Sequence, residues 1–164
     1  MSKLDLNDFM PPGWEGKYPP CQIQVNTEGE LSHQGAPLVH PKVLASVFES
    51  VHFEDGRYVL KMDGKTCELE VEDTFFVVNR VDLNGTRFKI RLNDDTWEEL
   101  HPAGIWLGAN QMLYCRVKGG GFTARFARPA YYQVAQMIQP LDDGFILEVD
   151  GNSYALHEGE ALKT

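Results

Sequence analysis

Apolar residues recur along the chain with two different periods, and the switch between them marks out its elements. Val43, Leu44, Val47, Phe48 and Val51 fall at the i, i+1, i+4, i+5, i+8 spacing of one helical face, and the same spacing returns 87 residues later at Ala130, Tyr131, Val134, Ala135 and Ile138. A proline stands at the start of each stripe, in His40-Pro41 and Arg128-Pro129, where the first helical turn loses nothing by a missing N–H. Further on, YVLKMDGKTCEL (58–69) and FILEVDGNSYAL (145–156) align without a gap at the same offset of 87. Asp63-Gly64 and Asp150-Gly151 each divide two strand-like runs, the composition of a type I′ hairpin. Each copy therefore reads as a helix followed by a β-hairpin, a unit too small to bury its apolar face alone.

Between the copies the period is two. Cys67, Leu69 and Val71 alternate with Glu68, Glu70 and Glu72, and Phe88, Ile90 and Leu92 alternate with Arg87, Lys89 and Arg91. The acidic and basic rows are predicted to face solvent on one sheet, where opposite charges support pairing. The run Phe75, Phe76, Val77, Val78 predicts a central strand buried on both faces, with Asn84-Gly85 as the following turn. Residues 113–118 alternate again, Gly119, Gly120 and Gly121 make a bend, and 122–126 return. The expected fold class is α+β: two repeated helix-plus-antiparallel-hairpin modules.

A chain of 164 residues admits one domain or two small modules sharing a core. The expected division is an N-terminal arm at 1–20, an N-terminal module at 21–84 and a C-terminal module at 85–164. Pro11, Pro12, Pro19 and Pro20, interleaved with Phe9, Trp14 and Tyr18, keep the arm out of regular ladders. The net charge of −9 argues against nucleic-acid polymers, which require a positive field. Cys21, Cys67 and Cys115 form no CxxC pair and are odd in number, so buried thiols in a reducing compartment are expected. The N-terminal MSKLDLNDFM carries acids where a signal peptide has its apolar run, and no stretch is long enough to cross a bilayer. A cytoplasmic protein, away from membranes, is the expectation.

Charge distribution adds the first chemical signal. From Leu100 to Leu141 there is no Asp or Glu, yet the stretch holds Arg116, Lys118, Arg125, Arg128 and His101. Strand alternation puts Tyr114, Arg116 and Lys118 on one face, with Thr123 and Arg125 on the polar side across the bend. Arg128 follows at a helix start, where backbone N–H groups favour an anion. Tyr132 lies at the edge of the helical stripe, placed to stack on a planar group. The competing reading is that these cations pair with carboxylates elsewhere in an acidic chain.

Catalytic signatures are missing. The five histidines have no metal-ligand spacing, and there is no GxSxG elbow, GxxxxGK[ST] loop or GxGxxG turn. Asp94, Asp95, Glu98 and Glu99 in NDDTWEE have the chemistry for a hard cation or an acid/base pair, but a solvated turn accounts for them more simply. No enzymatic activity, cofactor or metal is expected.

The stretch LYCRVKGGGFTARFARPAYYQVAQMI (113–138) resembles the bacterial domain-of-unknown-function family numbered 1285, whose members carry an arginine strand, a loop and an Arg-Pro-x-Tyr-Tyr helix start. The arm with Pro11-Pro12 and Trp14, the segment from CQIQV through LASVF, ELEVEDTFFVV and His101-Pro102 agree as well. The chain departs from the family at Cys21-Gln22, where many members have glycine, and at MetAspGlyLys (62–65), where they have a Thr-Pro-x-Glu-Lys type turn. The resemblance implies an internally duplicated two-module core whose C-terminal module resembles a pleckstrin-homology-like barrel. It also implies a nucleotide-like ligand between the modules, a role in signalling and no established enzymatic activity. The combined expectation is a non-enzymatic ligand-binding sensor for an anionic small molecule, with Arg116, Arg125 and Arg128 on phosphate, Tyr132 stacking and His101 at the rim. The alternative is an adaptor that recruits a protein partner through its arm or a sheet edge.

Overall fold

The computed structural model describes residues 5–14 and 16–159, and the chain divides into two units, the first ending at Phe75 and the second opening at Phe76. The ends of the expected arm and C-terminal module, residues 1–4 and 160–164, lie outside the described residues, as does Glu15.

In the first unit a 3-10 turn, Leu6–Asp8, is capped by the Asp5 carboxylate, which accepts from Asn7 N at 3.0 Å. There follow β1 (Pro20–Val25), β2 (Leu31–His33), β3 (Ala36–Pro37), α1 (Pro41–Ser50), β4 (Val51–Glu54), β5 (Arg57–Met62) and β6 (Lys65–Val71). They form one sheet in the order β3-β2-β1-β6-β5-β4, antiparallel except for the β1–β6 pair. Pro41 opens α1, and His40 caps it by accepting from Lys42 N through Nδ1 at 3.2 Å. The helix buries Val47, and its Phe48 ring meets Phe75 edge-on at 5.4 Å. Leu6 and Phe9 of the expected arm are buried too, with Phe9 against the His33 ring at 4.4 Å. That segment is a component of the first core.

The cysteine expectation needs correction. Cys21 on β1 and Cys67 on β6 form a disulfide, with Cα atoms 5.0 Å apart. They stand 46 positions apart in sequence but on adjacent parallel strands, a neighbourhood that spacing alone does not reveal. Cys115 remains a buried thiol, whose pKa is pushed up by burial and by the nearby Glu98 charge.

The second unit comprises β7 (Phe76–Asn84), β8 (Arg87–Leu92), β9 (Trp97–Leu100), β10 (Trp106–Leu107), β11 (Leu113–Val117), β12 (Phe122–Phe126), α2 (Arg128–Ala135), β13 (Ile138–Leu141), β14 (Gly144–Val149) and β15 (Asn152–Glu158). Its sheet runs β13-β14-β15-β10-β11-β12-β7-β8-β9, with β10–β15 and β12–β7 parallel. The run at 75–78 is fully buried, and β7 lies between β12 and β8 as a central strand should. Because β7 pairs with both of these strands, the boundary expected at 84/85 falls instead between Phe75 and Phe76.

Three further expectations change. Each helix ends before the last residue of its stripe: Val51 and Ile138 are the first residues of β4 and β13, so each helix leads into three antiparallel strands rather than one hairpin. The acidic row lies on β6 and the basic row on β8, in different sheets. Arg57 binds Glu68 at 2.9 Å in the first, and Lys89 stands opposite Asp82 and Glu99 in the second. Finally, β13 and β9 are the two ends of the second sheet and do not pair with each other among the described residues, so the expected barrel is not closed. Both Asp-Gly turns follow expectation, with positive φ at Asp63 and Gly64 (50° and 77°) and at Asp150 and Gly151 (51° and 80°).

Candidate functional site

The acid-free stretch folds into β10, β11, β12 and α2 of the second unit. Register places Arg116 opposite Thr123 and Tyr114 opposite Arg125, so Arg116 and Arg125 are diagonal neighbours on one face of the β11–β12 pair. Arg116 is drawn toward its own hairpin: its guanidinium donates to Gly120 O and, at 3.2 Å, to Thr123 Oγ1. Arg128 is exposed at the first position of α2, and Tyr132 is 59% exposed with its ring edge-on to Tyr131 at 5.9 Å. His101 is engaged elsewhere, accepting from Ala103 N at 3.0 Å and packing edge-on against Tyr154. Lys118 follows the competing reading: its Nζ binds Asp94 Oδ2 at 2.7 Å and Thr96 Oγ1 at 3.1 Å. Burial alone would raise the Asp94 pKa, but hydrogen bonds from Lys118 and Thr96 outweigh it and hold the carboxyl below its ordinary value.

A second arrangement in this unit lies outside the acid-free stretch. Along β7, Val78 pairs with Leu92 but Arg80 pairs with Arg91, so two steps on β7 match one on β8 and Asn79 is the extra residue of a β-bulge. The bulge reverses the alternation of the strand. Val78 and Val81 both point into the core, and Arg80 turns outward opposite Arg91. Beyond Val78 the other edge of β7 has no strand, because β12 ends at Phe126. Gln133 of α2 occupies that edge: its Oε1 accepts from Val81 N at 2.9 Å and its Nε2 donates to Val81 O at 2.7 Å. One side-chain amide thus makes both bonds of a missing ladder rung.

These residues border a cavity of about 380 Å3 that is broadly open to solvent, lined by Asn79, Arg80, Arg91, Pro129 and Gln133. None of the five residues expected at the site lines it, although Arg128 and Tyr132 flank Pro129 and Gln133 on α2. The lining arginines were hidden within strand patterns. The available signal was the slip in FVVNRVDL, where inward positions pass from Phe76 and Val78 to Val81. Among the described residues no group of three His, Cys, Asp or Glu side chains is arranged to hold a metal ion, and Asp94 and Asp95 of NDDTWEE bind Lys118 and Arg91. No described helix is long and apolar enough to cross a membrane.

Comparison with solved structures defines the fold. The chain is similar to a DUF1285 family protein from Silicibacter pomeroyi DSS-3, with a TM-score of 0.65 and 17% identity, over 92% of this chain and 85% of the other. It is also similar to a DUF1285 family protein from Shewanella baltica OS155, with a TM-score of 0.57 and 16% identity, over 70% of this chain and 91% of the other. The α+β fold of this chain is therefore that of the DUF1285 proteins, in agreement with the resemblance carried by residues 113–138. No family model matches the sequence, and no curated protein matches it.

Proposed function

We propose that the protein is a non-enzymatic ligand-binding module of signal transduction that holds an anionic, nucleotide-like small molecule on its second unit. The observation carrying this reading is that a 42-residue acid-free stretch in a chain of net charge −9 folds with Arg116 and Arg125 on one face of a strand pair and Arg128 opening the next helix. Arginine's planar fork suits phosphate, and the exposed Tyr132 ring offers a face to a base. We further propose that the chain is internally duplicated. The strands 51–54, 57–62 and 65–71 recur as 138–141, 144–149 and 152–158, and each set runs β-β-β from a proline-started helix to a parallel pairing of its last strand.

The test is calorimetric titration of the full chain with mononucleotides, cyclic nucleotides and dinucleotides, repeated with Arg128→Ala. Saturable binding weakened by that substitution supports the reading, and an unchanged affinity removes Arg128 from the site. The adaptor alternative remains a second reading: Leu6 and Phe9 of the arm are buried, and Trp14 is exposed.

A further inference from the structure

The geometry points to the cavity at the β7 bulge as an oxyanion site, taking a phosphate group through Arg80 and Arg91 and a hydroxyl donor through Asn79. This inference rests on the anion-binding reading above and adds phosphate contacts from residues outside the acid-free stretch, beside Arg128 on the same helix start.

Like charges placed directly opposite on antiparallel strands repel, and a bulge disrupts the ladder. Here the bulge at Asn79 is what brings Arg80 opposite Arg91; without the extra residue Arg80 would point to the opposite face. Both guanidiniums line one concavity whose size lies within the range of small-molecule sites. Each is held by a single exposed ion pair, Arg80 Nε to Asp82 Oδ1 at 3.1 Å and Arg91 Nη2 to Asp95 Oδ1 at 2.6 Å. Exposed pairs of this kind contribute little to stability, and they leave the other N–H groups of each fork available to an incoming oxyanion.

Asn79 decides the class of anion. Its Oδ1 is buried and has no hydrogen-bond partner. An acceptor in that state calls for a donor from whatever fills the cavity. A protonated phosphate or a phosphate ester with a neighbouring hydroxyl supplies both an oxyanion and an O–H; sulfate supplies only the first. Gln133 does not compete, because both ends of its amide are committed to Val81.

The experiment titrates the full chain with inorganic phosphate, sulfate and AMP, and repeats each with Arg80→Ala, Arg91→Ala, Asn79→Ala, the double variant Arg116→Ala/Arg125→Ala and, as a control, Arg87→Ala, an exposed β8 arginine that does not line the cavity. The expected result is a loss of phosphate and AMP affinity of roughly ten- to a hundred-fold in either cavity arginine variant. The control Arg87→Ala keeps its affinity. Phosphate binds more tightly than sulfate, and Asn79→Ala abolishes the difference. Circular dichroism of each variant separates a lost site from a lost fold. Binding that falls only in Arg116→Ala/Arg125→Ala overturns the inference and leaves the anion-binding function standing. If no anion binds the wild-type chain, both fall. Equal affinity for phosphate and sulfate overturns the donor requirement at Asn79.

Discussion

Replacing Lys118 with Met tests whether the cationic stretch is held by long-range ion pairs. Lys118 Nζ lies 2.7 Å from Asp94 Oδ2, and the two side chains are only 29% and 10% exposed. Thr96 donates to Asp94 Oδ1 through N at 3.1 Å and through Oγ1 at 2.5 Å, so the carboxylate is fixed whether or not the lysine is present. Methionine keeps most of the apolar stem and removes the ammonium, with its bonds to Asp94 and Thr96 and its position over the Phe76 ring. Loss of a hydrogen bond between charged groups costs about 1.5–3 kcal/mol, and the stranded carboxylate puts the expected loss near the upper end, about 2–3 kcal/mol at neutral pH. The pH dependence has a definite sign. The folded Asp94 pKa lies below the unfolded value, so its contribution is present above about pH 4 and is lost as pH falls through the folded pKa. In Lys118→Met the pKa rises, and the variant should converge on the wild type as the pH is lowered below about 4. Urea unfolding across this range measures both effects. A variant within about 0.5 kcal/mol of wild type at neutral pH, or a difference independent of pH, would refute the reasoning.

The remaining predictions concern backbone contacts and the disulfide. A Cβ on Gly108 would lie 2.6 Å from Cε2 of the buried Tyr114 ring and 2.8 Å from Asn110 Oδ1, so Gly108→Ala should cost about 1–3 kcal/mol, most of it recovered when Tyr114 is also made smaller, as a double-mutant cycle in urea would show. Cys21→Ser should destabilise by about 4 kcal/mol, the loop-entropy value for a span of 46 residues, and dithiothreitol should lower the wild type but not the variant. Gln133→Ala leaves Val81 N and O without their partner and should cost about 1–3 kcal/mol by thermal or urea unfolding, and Gln133→Glu should not restore the stability, because it keeps an acceptor for Val81 N but turns a second carboxylate oxygen toward Val81 O.

What the sequence makes legible here is what local chemistry controls. Proline at the helix starts, Asp-Gly at both hairpins and the apolar run at 75–78 each specify their element through neighbours a few residues away, and each appears where expected. Lateral neighbours are another matter. Nothing near Cys21 announces Cys67, and nothing near the basic row says that its acidic partners come from β7 and β9. The candidate site divides the same way. A stretch without acids is visible as composition, but the pairing of Lys118 with Asp94 depends on tertiary contact, as does the cavity beside Asn79. That cavity requires a bulge on one strand, an arginine on the next and a glutamine from a helix 52 positions beyond Val81.

The parallel pairing of β1 with β6 also bears on how the first unit is made. β1 is the first strand to leave the ribosome and β6 the last, so Ile23 and Val25 wait with one lateral edge open while about 40 further residues are synthesised. Until then β2 is the only partner β1 can have within the sheet. The order of synthesis and the order of the sheet therefore disagree, and the first core closes only when Cys67 and Leu69 arrive. A nascent chain halted before Lys65 would present that open edge to whatever strand it met first.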